Sequence, residues 1–247
     1  MQNCKISNKI LLPFKNIKVL EQIELYEVQE KVYAVKIEDQ KIRAFLFLRY
    51  QEFYESHSEE FRSHHFSIND YVDFYIDYTK KEIFTYGIDW SGFNIPSTII
   101  EECMKNIPDK NEYDRIMQSI VDTIKQETNN NMFYLIGVDS VDNSWVLKHE
   151  IAHGLYFTNQ KYKYQADAIT SCLPKTTYKK LKEIIMSMGY NEFVINDEIN
   201  AYLSTSVMKS MLEIKGIKKE TEKYEELFCR FFNLEKKAKK IDIKWEN

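Results

Sequence analysis

Glycine and proline are scarce, with six and four among 247 residues, against roughly 7% and 5% in ordinary proteins. A phosphate-cradling loop needs closely spaced glycines. The one suggestive pair, Gly87 and Gly92, is followed by Phe93-Asn94 where such a loop needs Lys-Ser/Thr, and no G-x-G-x-x-G occurs. Cysteine is also sparse. Cys4, Cys103, Cys172 and Cys229 form no C-x-x-C, so they read as free thiols in a reducing compartment. No apolar run reaches 18 residues, which argues against a membrane span. The first twenty residues lack the apolar core of a signal peptide. A cytoplasmic protein is expected, with signal-less export left open. Low-complexity and single-sign stretches are missing, which excludes a disordered or collagen-like chain.

Charge gives no case for nucleic acid, since 34 basic and 38 acidic residues leave a net charge of −4. The Lys-rich stretch 215–240 is interleaved with Glu220, Glu222, Glu225, Glu226 and Glu235, the pattern of a solvated helix face. With 44% hydrophobic and 29% charged residues, the composition is globular. The length suffices for a core without disulfide or metal staples.

Residues 31–37 and 42–48 read as a β-hairpin, and 49–65 as helix plus loop. Residues 71–86 fit either a helix capped by Asn69 or a strand pair. Helices are expected over 97–106 and 111–127, before the breaker Asn129-Asn130-Asn131. MFYLIGV, 132–138, reads as a buried or edge strand. Asp142, Asn143 or Ser144 can cap the helix from Trp145 to about Tyr156. Further helices are expected at 161–172, 175–188, 197–213 and 219–233. The expected architecture is α+β in one domain, 1–247. Residues 1–140 form a small β-containing lobe, and 141–247 form a mainly helical lobe.

One motif carries chemistry: His149-Glu150-Ile151-Ala152-His153 is H-E-x-x-H. On a helix, residues four apart share a face, so both imidazoles reach one metal ion while Glu150, offset around the helix, faces a metal-bound water. A chain with this content of His and Glu carries roughly 0.01 such motifs by chance. Trp145, Leu147, Ala152 and Leu155 give the helix apolar sides. Downstream, Glu198 precedes Ile199, Ala201, Tyr202 and Leu203, the context of an acid held near the core, where it needs a partner or a metal. Asp167 is the rival; it can ligate or accept a hydrogen bond from a ligating imidazole. Asp197 reads as a helix cap. His57, His64 and His65 read as a surface loop, with substrate contact as the alternative. The aromatic-rich stretch 45–96 is a candidate for the opposite wall of a cleft.

The segment WVLKHEIAHGLYF, 145–157, resembles the active-site helix of the zincin metallopeptidases. A metzincin would continue to G-x-x-H, but Tyr156 and Asn159 stand where that Gly and His belong. The resemblance is therefore to the gluzincin type, and it covers about residues 145–203. It implies a zincin-like fold and one zinc ion held by His149, His153 and Glu198, with Asp167 as the alternative third ligand. It also implies hydrolysis of a peptide or protein substrate; the charge balance and the lack of a long apolar run leave no nucleic-acid or membrane partner expected. In zincins an edge strand before the motif helix pairs with substrate, and 132–138 stands at that place, with Gly137 permitting close approach. Glu150 is then the general base, and Tyr202, with Tyr156 as its rival, the donor to the oxyanion. Two other functions stay open: a silent zincin-like domain that binds or senses, and a hydrolase of non-peptide amides.

Overall fold

The computed structural model describes residues 17–142, 144–232 and 238–245. Cys4, Asn143 and positions 233–237 of the Lys-rich stretch lie outside the described residues.

A short helix α1 (Ile17–Leu20) leads into β1 (Glu24–Gln29) and β2 (Val32–Lys36), an antiparallel hairpin turned at Lys31 in the left-handed region. Helix α2 (Gln40–Glu55) follows, its first turn held by Asp39, whose carboxylate accepts the N–H groups of Lys41 and Ile42. Next come α3 (Ile68–Thr79), α4 (Tyr86–Asp89), β3 (Phe93–Pro96), α5 (Ser97–Met104), α6 (Glu112–Thr128) and β4 (Tyr134–Val138). The remainder is helical: α7 (Trp145–Thr158), α8 (Gln160–Ser171), α9 (Lys175–Ser187), a 3₁₀ turn (Glu192–Val194), α10 (Ile195–Thr205), α11 (Lys209–Leu212) and α12 (Ile217–Phe231). Strand β5 (Lys239–Ile241) closes the described chain. The fold is mixed α+β, with four strands from the first 140 residues and helices dominating after them.

The sheet order is β3-β4-β2-β1-β5, and only the β2–β4 pair is parallel. Side chains alternate across it. Tyr33, Val35, Phe93, Ile95 and Leu135 enter a core with α2, α3, α5 and α6. Val32, Ala34, Tyr134, Ile136 and Val138 face α7, α8 and α12. A third cluster joins α9, α10, α11 and α12. Helix α7 lies directly on the sheet. Gly154 makes that possible, because a Cβ there would sit 2.7 Å from a Val32 methyl.

Several elements differ from the sequence reading. Residues 42–48 belong to α2, and the hairpin partner of β2 is β1. The apolar run IRAFLFL suits a strand by composition, yet Ala44, Leu46, Phe47 and Leu48 are all buried in a helix that packs on more than one side. Residues 68–79 form a helix capped by Ser67 rather than Asn69. The helix expected over 197–213 stops at Thr205, and α11 is separate. Strand β4 is interior: it pairs with both β3 and β2, and Gly137 lies against the ring of Phe47 instead of at a free edge. The strand at that side of the sheet is β3.

Two charged contacts tie distant segments. Arg49 is buried on α2 and donates to Asp114 (3.0 Å), Asp109 (2.7 Å) and the Phe66 carbonyl (2.6 Å). Asp114 also completes a capping box with Asn111 at the start of α6. At the opposite side of the sheet, Glu24 on β1 pairs with Lys36 on β2 at 2.9 Å and with Lys240 on β5. No helix among the described residues is long and apolar enough to cross a membrane.

Removing one member of the buried pair leaves the other charge unpaired. Asp114→Ala is expected to lower unfolding free energy by about 3–5 kcal/mol, measured by urea denaturation. A loss below about 1 kcal/mol would mean that Asp109 alone suffices for Arg49.

Candidate metal centre

Helix α7 starts at Ser144, whose hydroxyl accepts the Leu147 N–H at 3.1 Å. Leu147, Ile151, Ala152 and Leu155 bury against the sheet-side core. His149 and His153, one turn apart, share another face and meet α10. Both rings and Glu150 are buried.

On α10, the buried acid Glu198 faces the same point. One ligand atom each from His149, His153 and Glu198 lie within 4.8 Å of one another, a grouping that could hold a metal ion. The two Nε2 atoms are 3.3 Å apart, and His153 Nε2 is 3.6 Å from Glu198 Oε1. Tetrahedral ligands at 2.0–2.1 Å from an ion stand about 3.3–3.4 Å from each other. The other oxygen of Glu198 has no partner, although the residue is only 3% exposed. Two imidazoles and a carboxylate are a donor set that could hold a metal ion.

Helix α10 also holds the far side of each ring. Asp197 Oδ2 lies 3.0 Å from His153 Nδ1. At the other end of the helix, Thr205 and Ser206 hydroxyls stand 3.4 and 3.5 Å from His149 Nδ1. Thr205 spends its own hydrogen on the Ala201 carbonyl at 2.7 Å, so its oxygen accepts from Nδ1–H and leaves His149 Nε2 with a free lone pair. Burial, reinforced by His153, holds His149 well below the usual imidazole range. Burial also opposes the charge on His153, but Asp197 and Glu198 overcome it and raise that ring well above the usual range. Burial pushes Glu198 far up, against the pull of His153. Without metal, His153 therefore carries a proton toward the point where a cation would stand.

Glu150 emerges beside the two rings, and its Oε2 is unpartnered. Burial raises the carboxyl to about 6, opposed by His153 and by a hydrogen bond from the Asn94 side chain. Gly92 leaves the space that this carboxylate fills, since a Cβ there would overlap Oε1. The three motif residues open into a cavity of about 760 Å³, counting its mouth. Its other walls come from the C-terminal end of α2, the aromatic face of α3 with the segment leading to β3, and the loop 188–190.

The remaining candidates divide. The Tyr202 ring centre is 4.6 Å from that of His149, and its hydroxyl is 3.5 Å from that of Tyr190. Tyr156 donates to Asp167, and Lys163 pairs with Asp167 at 2.6 Å, so these two candidates are engaged with each other and Asp167 is not in the metal-ligand group. His57 lines the cavity mouth, packed against Gly189 and the Tyr78 ring. His64 Nδ1 is 2.9 Å from the Arg62 carbonyl, and the His65 ring packs on Phe53. Sequence reasoning missed Asp197 as the partner of His153, and missed Gly92, Asn94, Tyr190 and Thr205. Asp197 alone had a visible signal, its place beside Glu198 in an apolar helix.

Comparison with protein-family models, with curated proteins and with solved structures returns no significant match for this chain.

A chain loaded with zinc and freed of excess metal is expected to retain one ion by atomic emission. Glu198→Ala should weaken retention at least tenfold, while Asp167→Ala leaves it unchanged. The reverse order would move the acid ligand to Asp167.

Proposed function

We propose that the chain is a zinc-dependent metallopeptidase of the gluzincin type, acting on peptide or protein substrates. The observation that carries this reading is the convergence of His149, His153 and Glu198 with Glu150 beside them, at the wall of a cavity. Three protein ligands leave one coordination position open, as catalytic rather than structural zinc sites do. A zinc ion held there supplies Lewis acidity and brings the pKa of a coordinated water toward ~7.

The chain's own groups do the rest. Glu150 takes a proton from the attacking water and returns it to the leaving nitrogen. A carboxyl raised to about 6 by burial suits both transfers near neutral pH. Asn94 steadies one of its oxygens, and Gly92 gives it room. Burial pushes the Tyr202 hydroxyl up to about 12, so it stays protonated and can donate to the developing oxyanion. Tyr190 is raised further by burial and stands behind it. An extended substrate can pair with β3, whose Asn94 N–H is held at 3.3 Å by the Gln51 side chain, a contact that substrate would displace.

The test is cleavage of a denatured-casein or proteome-derived peptide pool by the zinc-loaded chain. Glu150→Gln is expected to keep zinc and lose turnover by about 10²–10⁴-fold. A wild-type chain that cuts nothing would favour a domain that binds without hydrolysing. Gly92→Ala adds a finer test. The displaced group is the flexible end of Glu150, so the unfolding midpoint should hold, while turnover falls about 10²-fold through misplacement of the base.

A further inference from the structure

The cavity above the metal centre has a second region that the proposed chemistry does not use. Glu52 and Glu55 project into it from the last turns of α2. Glu52 is 8% exposed, and the hydroxyls of Tyr71 and Tyr86 face its carboxylate. Glu55 accepts from Gln51 one turn back, and its field reaches His153 and Glu198. Ser56, also buried against the cavity, places its hydroxyl beside the Glu52 carboxylate. Around these groups stands a wall of aromatic rings. Tyr71, Tyr75, Tyr86 and Trp90 touch in series, with ring centres 5.3–6.4 Å apart, and Phe74 stacks on Tyr78 at 5.7 Å.

Charge balance in this space is one-sided. Glu52, Glu55 and Glu150 line it, and no Lys or Arg does among the described residues. Arg62, whose charge reaches His57 at the mouth, turns instead to the Ser56 carbonyl at 3.1 Å. Lys81, near the far side, is paired with Asp89 at 3.0 Å. His153 offsets part of this charge, yet two carboxylates in an apolar surround remain costly to keep ionised. Burial accordingly pushes Glu55 up to about 8 and raises Glu52.

We infer that this region is a side-chain pocket selecting a basic residue, Lys or Arg, beside the bond to be cut, a specificity that rests on the peptidase reading above. The long aliphatic stem of such a residue packs along the aromatic wall while its head reaches the acids. Ring faces attract a cation as well. The Ser56 hydroxyl supplies a further oxygen acceptor for its N–H groups. A neutral aromatic residue would fill the same space but leave both carboxylates desolvated without a counter-charge.

Binding can be measured apart from turnover. The zinc-loaded full chain is titrated with Nα-acetyl-arginine and with Nα-acetyl-citrulline, its uncharged isostere, following Trp fluorescence and calorimetry. Arginine is expected to bind at least tenfold more tightly. Glu55→Gln should reduce that ratio, and Glu52→Gln/Glu55→Gln should abolish it, with zinc content unchanged. If the double variant does not fold, Glu55→Gln and the wild-type ratio still decide. Equal binding of the two ligands, or an undiminished preference in Glu55→Gln, overturns the pocket. In parallel, cleavage sites in the peptide pool should show Lys or Arg enriched at one position flanking the cut bond. Cleavage without that enrichment also overturns it. A chain that prefers arginine to citrulline yet leaves the pool uncut keeps the pocket and sinks the peptidase reading.

Discussion

The contact between α7 and α10 is the constraint around which the site is organised. Two imidazoles and a carboxylate occupy one small buried volume, where an unsatisfied polar group costs several kcal/mol. Helix α10 meets that cost along its whole length. Its first turn places Asp197 and Glu198 against His153, and its last residues set Thr205 and Ser206 behind His149. The apolar residues between them, Ile199 and Leu203, are fully buried in the cluster with α9 and α12. Packing therefore fixes the axial position of α10, and that position determines which atoms face the two Nε2 nitrogens.

The sheet supplies the second reference plane. Helix α7 sits close to β2 through Gly154, and the edge strand β3 carries Asn94 on the same face of the sheet. Asn94 links Tyr134 on β4 to the Glu150 carboxylate. The base is thus positioned from the sheet, whereas the ligand rings are positioned from a helix. The two sets of contacts meet only at the motif. On the other face, α2 packs under the sheet and ends at the edge beside β3, which brings its acids to the cavity.

Much of the metal centre was legible because it depends on local rules. The i,i+4 spacing puts His149 and His153 on one helical face whatever the tertiary fold. Glu198 was visible as an acid among apolar neighbours. The helix over Glu112–Thr128 was expected at 111–127, and the structure adds the Asn111 cap that starts it. Elements governed by tertiary burial were harder to read. Residues 42–48 have strand-like composition, but burial on several sides of α2 overrides it. Strands β1 and β5 are short and partly polar, and their pairing joins residues more than two hundred positions apart. The interior place of β4 follows from β3, a four-residue strand with no periodicity to detect. The cavity's acids looked like ordinary surface glutamates in a polar run, because nothing local signals that α2 ends against β3.

The outermost pairing of the sheet bears on how the molecule is made. Strand β1 is synthesised more than two hundred residues before the strand that covers it, β5, which comes from residues 239–241. During translation the hydrogen-bonding groups along that side of β1 stay uncovered until nearly all the other elements exist. An uncovered strand is a template for pairing with a neighbouring nascent chain. In that interval the protection is electrostatic: Glu24 and Lys36 already stand across β1 and β2 from each other, and charged side chains on an open strand discourage intermolecular pairing. Lys240 joins them only when β5 docks. The same carboxylate that guards the growing chain thus becomes the latch that closes the finished one.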